Sequence, residues 1–244
     1  MNLYKRESFL SDQNIKIFIF HHAGGNAQNY QLWKNFFPNH WDAQVIEYPG
    51  RLKTDELCQN MQSLVNHLIN ELHDDLQEPY VIFGHSMGSL VAFEFAYQTI
   101  VRNIPKPLWI GVSSRYAPHL NARVTYQMHQ LSDAVLINNL KELGGISASL
   151  GLDAEVKNHF LKLIRADFKV CESYQLADQQ KIDIPISCFF GNQDPWVVKK
   201  DLYAWKELTT AQFSFHEYDG GHFYLNFCKK EVITQIIADV EAVC

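Results

Sequence analysis

Short apolar runs alternate with stretches of helical period along most of this chain, and that alternation constrains the fold more than any other feature. The runs fall at 15–20, 44–48, 80–83, 108–113, 186–190 and 213–218, and several are apolar at consecutive positions. Strands buried on both faces read this way, as in a parallel sheet covered by helices. Between the runs, Met61, Leu64, Val65, Leu68, Ile69 and Leu72 recur at helical spacing, and Pro79 ends that pattern before the next run. Val232, Ile233, Ile236, Ile237 and Val240 repeat it near the C-terminus. The expected class is α/β, with a mostly parallel central sheet flanked by helices.

One region interrupts the alternation. Over about 117–181 no strand signal appears, while 131–143 and 152–168 read as helices separated by Gly144-Gly145 and Gly151. A crossover between parallel strands needs only about a dozen residues, so this stretch reads as a helical lid inserted into the sheet. With no repeat, low-complexity tract or linker, residues 1–244 read as a single domain carrying that lid.

Charge and cysteine content exclude several classes. Twenty-one Lys and Arg against 27 Asp and Glu leave a net charge of −6, which disfavours nucleic acid as partner. The first apolar run, 15–20, contains Lys16 and is too short for a secretory signal, and nowhere do ~18 uncharged apolar residues follow one another. A cytoplasmic protein without membrane association is expected. Five cysteines, widely spaced and without a C-x-x-C pair, suggest neither a disulfide framework nor a zinc site.

The chemistry centres on Gly84-His85-Ser86-Met87-Gly88, which follows the run at 80–83 and precedes a helical stretch at 89–99. This G-x-S-x-G pattern in a strand-to-helix context is the nucleophile elbow, a strained turn that presents a serine. A serine hydroxyl is a weak nucleophile and needs a base that is itself oriented by an acid. In this context the acid and then the base follow the serine in the chain, at the carboxyl ends of later strands. Asp194, in Gly191-Asn192-Gln193-Asp194-Pro195, and His222, in Asp219-Gly220-Gly221-His222, meet that requirement. His216 lies inside a strand, Asp219 shares the turn of His222, Asp201 falls in a helix, and Asp183 precedes its strand. The developing oxyanion needs two backbone donors. The N–H of Met87 is one, and Ala23, in the loop His21-His22-Ala23-Gly24-Gly25 after the first strand, is the other. His21 and His22 are adjacent and so diverge, and no H-E-x-x-H pattern accompanies them; no metal site is expected.

Taken in order, these segments resemble the type II thioesterases, stand-alone α/β-hydrolases that serve polyketide synthases and nonribosomal peptide synthetases. The resemblance rests on His22-Ala23-Gly24-Gly25-Asn26 with Tyr30 and Trp33, Tyr48-Pro49-Gly50-Arg51, the Ser86 elbow, Ser113-Ser114-Arg115 before Ala117-Pro118-His119, Leu143-Gly144-Gly145, Arg165-Ala166-Asp167-Phe168 with Glu172 and Tyr174, and the segments around Asp194 and His222. It implies an α/β-hydrolase fold, a Ser86–His222–Asp194 triad, Ala23 and Met87 as oxyanion donors, and a mobile lid that shapes an apolar acyl channel.

The implied reaction is hydrolysis of acyl thioesters on the phosphopantetheine arm of acyl or peptidyl carrier protein domains, clearing stalled or aberrant groups. No cofactor of its own is implied, and a monomer is expected. Two departures from the family pattern, Leu52-Lys53-Thr54 after Arg51 and Ser147 after Gly144-Gly145, fall in a surface loop and in the lid. Alternatives on the same fold are a carboxylesterase or lipase and a medium-chain fatty acyl thioesterase. Arg51, Arg115, Arg123 and Arg165 are candidates for a local basic dock on an otherwise acidic enzyme.

Overall fold

The computed structural model describes residues 14–51, 56–123, 127–146, 154–176 and 180–243. The departures at 52–54 and 147 lie outside them, as does the side chain of Arg123. Six strands, β1 (Ile15–Phe20), β2 (Trp41–Ile46), β3 (Tyr80–His85), β4 (Ile110–Ser113), β5 (Ile186–Gly191) and β6 (Phe213–Tyr218), form one sheet in the order β2-β1-β3-β4-β5-β6. Every pairing in it is parallel, as the consecutive apolar runs require.

The side-chain alternation of each strand explains those runs. In β1, Ile15, Ile17 and Ile19 face one side of the sheet, while Phe18 and Phe20 face the other. Strand β3 divides likewise, Val81 and Phe83 joining the first set and Tyr80 and Ile82 the second. Both faces are covered, so neither set can be polar.

Helices α1 (Met61–Glu71) and α2 (Met87–Val101) cover the Phe18–Phe20 face. Asn60 caps α1 through Ser63 N–H while the Ser63 hydroxyl meets the Asn60 N–H in return, and Met61, Leu64, Val65, Leu68 and Ile69 form the buried stripe. On the other face, α6 (Lys229–Val243) and a 3₁₀ segment, Ala27–Phe36, pack against β1 and β3.

The region between β4 and β5 carries the helices α3 (Asp133–Glu142) and α4 (Ala154–Ser173), with a short α5 (Lys199–Tyr203) after β5. Leu136 and Leu140 of α3 and Leu161, Ile164 and Phe168 of α4 share a small core of their own, against which Ala23 and Trp196 pack. The helical stretch therefore rests on the carboxyl edge of the sheet, where the sequence motifs converge.

Cys58, Cys171, Cys188 and Cys228 are free thiols. Among the described residues no helix is long and apolar enough to cross a membrane.

Candidate active site

Ser86 stands at the junction of β3 and α2 with φ +56° and ψ −113°, a conformation that costs a non-glycine residue of order 1–3 kcal/mol and persists only where its surroundings enforce it. The enforcement comes from the flanking glycines. A Cβ on Gly84 would lie 2.0 Å from the Gly88 carbonyl oxygen, and one on Gly88 would lie 2.1 Å from the carbonyl oxygen of Phe20. Helix α2 can cross this close to β1 and β3 only because both positions lack side chains. The Ser86 N–H donates to Ser113 O at 2.7 Å, which ties the elbow to the neighbouring strand β4.

Asp194 lies in the turn after β5 and His222 in the turn after β6, both buried. His222 Nδ1 is 2.7 Å from Asp194 Oδ2, and the other carboxylate oxygen accepts from the Trp196 N–H at 2.9 Å. An ionised carboxylate only accepts, so His222 donates through Nδ1 and, when neutral, keeps the lone pair on Nε2. Ser86 and His222 both line a cavity of about 490 Å³ whose wall includes Phe168, Trp196 and Val197, with Arg115 and Glu172 also on it. A narrower pocket beside it is lined by Ala23, Gly24, Ser86 and His222 together.

The loop after β1 is held from several sides. Tyr48 OH donates to His21 O at 3.1 Å, His21 Nε2 is 3.3 Å from Glu47 Oε1, and Glu47 Oε2 accepts from the Ala27 N–H at 3.1 Å. The two N–H groups after Ala23 are engaged, Gly24 with Asp167 Oδ2 at 2.7 Å and Gly25 with His22 O at 3.0 Å. Met87 is the first residue of α2, so its N–H has no acceptor within the helix.

The competing residues are engaged elsewhere: His216 with Asp239 at 2.7 Å, Asp219 with Asn192 at 2.8 Å, and Asp183 with Lys106. Among the described residues no group of three or more His, Cys, Asp or Glu could hold a metal ion.

Two features were not anticipated from the sequence. His85, buried beneath the elbow, meets Ser113 Oγ through Nδ1 at 2.8 Å, and that hydroxyl meets Tyr224 OH at 2.9 Å. Its ring centre is 5.2 Å from that of His222 and 6.1 Å from that of His22. Burial first, then the neighbouring imidazoles, holds His85 well below the usual histidine range, and burial pushes His22 down to about 3. The second feature is Asp167, which spans from α4 to the loop after β1. Asp167 and Arg51 both stand in segments that carry the family resemblance, and a carboxylate in the stripe Leu161, Ile164, Phe168, Cys171 was a further signal, because a buried helix face rarely carries a charge without a partner.

The structure corrects one expectation. Arg51 cannot serve a docking surface: its side chain is only 5% exposed and is paired with Asp167 at 2.5 Å. Arg165 donates to His129 O and to Asp133, and Arg115 lies over the Tyr116 ring in the cavity wall.

A family model described as "Thioesterase domain" matches residues 15–244. The chain is 34% identical over 226 residues to the gramicidin S biosynthesis protein GrsT of Aneurinibacillus migulanus, covering 91% of this chain and 88% of that one. It is similar in structure to the type II thioesterase BorB from the borrelidin biosynthetic cluster, with a TM-score of 0.83, 31% identity and 94% of each chain covered. It is likewise similar to YbtT, a type II thioesterase from the yersiniabactin NRPS/PKS biosynthetic pathway, with a TM-score of 0.84, 27% identity and 93% of each chain covered. The fold is that of the α/β-hydrolases.

Proposed function

This chain belongs to the thioesterase domain family, and from that membership we propose that it releases acyl groups from carrier-protein thioesters through a Ser86 nucleophile. The observation that supports this reading best is the meeting, around one pocket, of a strained serine, a buried His–Asp pair and the loop that carries Ala23.

In this mechanism His222 Nε2 takes the proton of Ser86 as the hydroxyl attacks the thioester carbonyl. Asp194 fixes the imidazole's tautomer and stabilises the imidazolium. The N–H groups of Ala23 and Met87 bind the oxyanion, an interaction typically responsible for ~10²–10³ in rate per donor. Collapse of the tetrahedral intermediate expels the thiolate, which takes the proton from His222, and leaves an acyl-Ser86 ester. Water, deprotonated by the same histidine, attacks that ester; Ser86 Oγ leaves with the proton returned by His222, and the free acid is released.

The carrier's phosphopantetheine arm brings the thioester to Ser86, and the cavity of about 490 Å³ takes the acyl chain. It lies within the range usual for small-molecule sites. In this reading the helical stretch between β4 and β5, whose α3 and α4 share a small core, serves as a lid over that cavity. By analogy with the relatives named in peptide and polyketide pathways, the substrates are acyl groups stalled on such assembly lines.

Ser86→Ala tests the reading on an acyl-pantetheine thioester. Turnover is expected to fall by at least about 10³-fold while folding is retained; a variant that keeps most of its rate refutes the mechanism. Run beside it, the matching oxygen ester should be the poorer substrate for the wild-type enzyme. Preference for the oxygen ester would make the protein a carboxylesterase.

A further inference from the structure

The loop after β1 is anchored from outside the sheet at two points: His22 Nδ1 lies 3.0 Å from Tyr30 OH on the segment Ala27–Phe36, and α4 supplies the second hold. Asp167, on α4, places Oδ2 2.7 Å from the Gly24 nitrogen and accepts its N–H, although 143 residues separate the two in the chain. The same oxygen accepts from Arg51 Nη2, and both side chains are only 5% exposed. Arg51 in turn donates to the carbonyls of Gly25 and Pro49, each at 3.3 Å. A carboxylate withdrawn this far from water needs a partner, and Arg51 alone would satisfy it. The additional bond to a peptide N–H is directional and holds a particular plane of the backbone. Gly24 has φ +73°, and a Cβ there would lie 2.5 Å from Ile164 Cδ1 on α4, so loop and helix are fitted to one another at this point.

We propose that Asp167 is a positioning residue for the oxyanion hole: by holding the Gly24 N–H it fixes the Ala23–Gly24 peptide, and with it the aim of the Ala23 N–H one residue earlier. This rests on the reading of Ala23 as an oxyanion donor. Arg51 acts as the counter-ion that keeps the carboxylate aimed. The loop's other holds come from Tyr48 and Glu47 after β2 and from Tyr30 on the segment Ala27–Phe36. The oxyanion hole is thus completed from α4, and the seating of that helix governs transition-state stabilisation as well as the shape of the acyl cavity.

Removing one member of a buried ion pair strands the other, so the test uses two double variants without the charges. Arg51→Met/Asp167→Asn keeps an oxygen acceptor for Gly24; Arg51→Met/Asp167→Leu has none. Each is assayed with butyryl-N-acetylcysteamine as substrate and with butylboronic acid, a tetrahedral transition-state mimic, as inhibitor, after thermal melting has shown that it folds.

Relative to the Asn variant, the Leu variant should lose about tenfold or more in kcat, with KM within about threefold. The boronate Ki should rise by the same factor as kcat falls. Equal kcat in the two variants, or a loss confined to KM, overturns the proposal, because a cavity-shaping role would appear in KM and leave the boronate unaffected. A Leu variant that fails to fold is replaced by Arg51→Met/Asp167→Val, judged by the same ratios. If the wild-type enzyme neither turns over the thioester nor binds the boronate, the proposed function itself fails; a wild-type enzyme that does both, with variants that do not differ, removes only the role of Asp167.

Discussion

His22 and His85 lie beside the proposed base and are kept uncharged by burial. This has a consequence for stability against acid. An unfolded histidine titrates near 6.5, whereas His22 in the folded protein titrates at about 3, so between these values the unfolded chain binds the extra proton. Stability is therefore full above about pH 6.5 and falls as pH drops toward 3, by up to about 1.4 kcal/mol per pH unit for this one group. Urea midpoints should decline from pH 7 to pH 5, and His22→Gln should flatten that decline; an unchanged slope would mean that His22 is not the group responsible. At this scale the placement of Ser86, Asp194 and His222 around one site was legible, because each follows an apolar run in a fixed chain order. Asp167 was not, because its partners Gly24 and Arg51 come close only after the chain folds.

Elements were legible where their patterns run without interruption. The extents of β1 and β6 agree with the apolar runs at 15–20 and 213–218. Strand β2 starts at Trp41 rather than 44 because, at the sheet's edge, it buries Trp41 and Ala43 and exposes Asp42 between them, an alternation that a search for continuous apolar runs passes over. Helix α4 runs on to Ser173, past the expected end at 168, since Val170 and Cys171 continue its buried face. The 3₁₀ segment Ala27–Phe36 was not foreseen: its cap Asn26 and its buried Tyr30 and Trp33 are too few to show a period. Local signals also carry a stability prediction. Asn60→Ala removes the reciprocal cap of α1 and should lower unfolding free energy by about 1 kcal/mol in denaturant titrations, with no change in thioester turnover.

Across the whole molecule, the two faces of the sheet are built from different parts of the chain. One face is covered by α1, α2 and the end of α4, the other by Ala27–Phe36 and α6. Ile236 of α6 is fully buried, so Ile236→Ala should cost about 2–5 kcal/mol, with the denaturant slope unchanged if unfolding remains all-or-none. The contact joins late residues to early ones, and that matters while the protein is being made. Ala27–Phe36 follows Ile15, Ile17 and Ile19 closely, but these residues leave the ribosome some 210 residues ahead of Lys229, where the rest of their cover begins. At roughly 5–20 residues per second that is a wait of about 10–40 s, during which the part of this face that α6 will cover stays bare. His222 emerges in the last part of the same interval, so the growing chain is sticky before it can be active, and its yield in a cell depends on what shields β1 and β3 until α6 arrives.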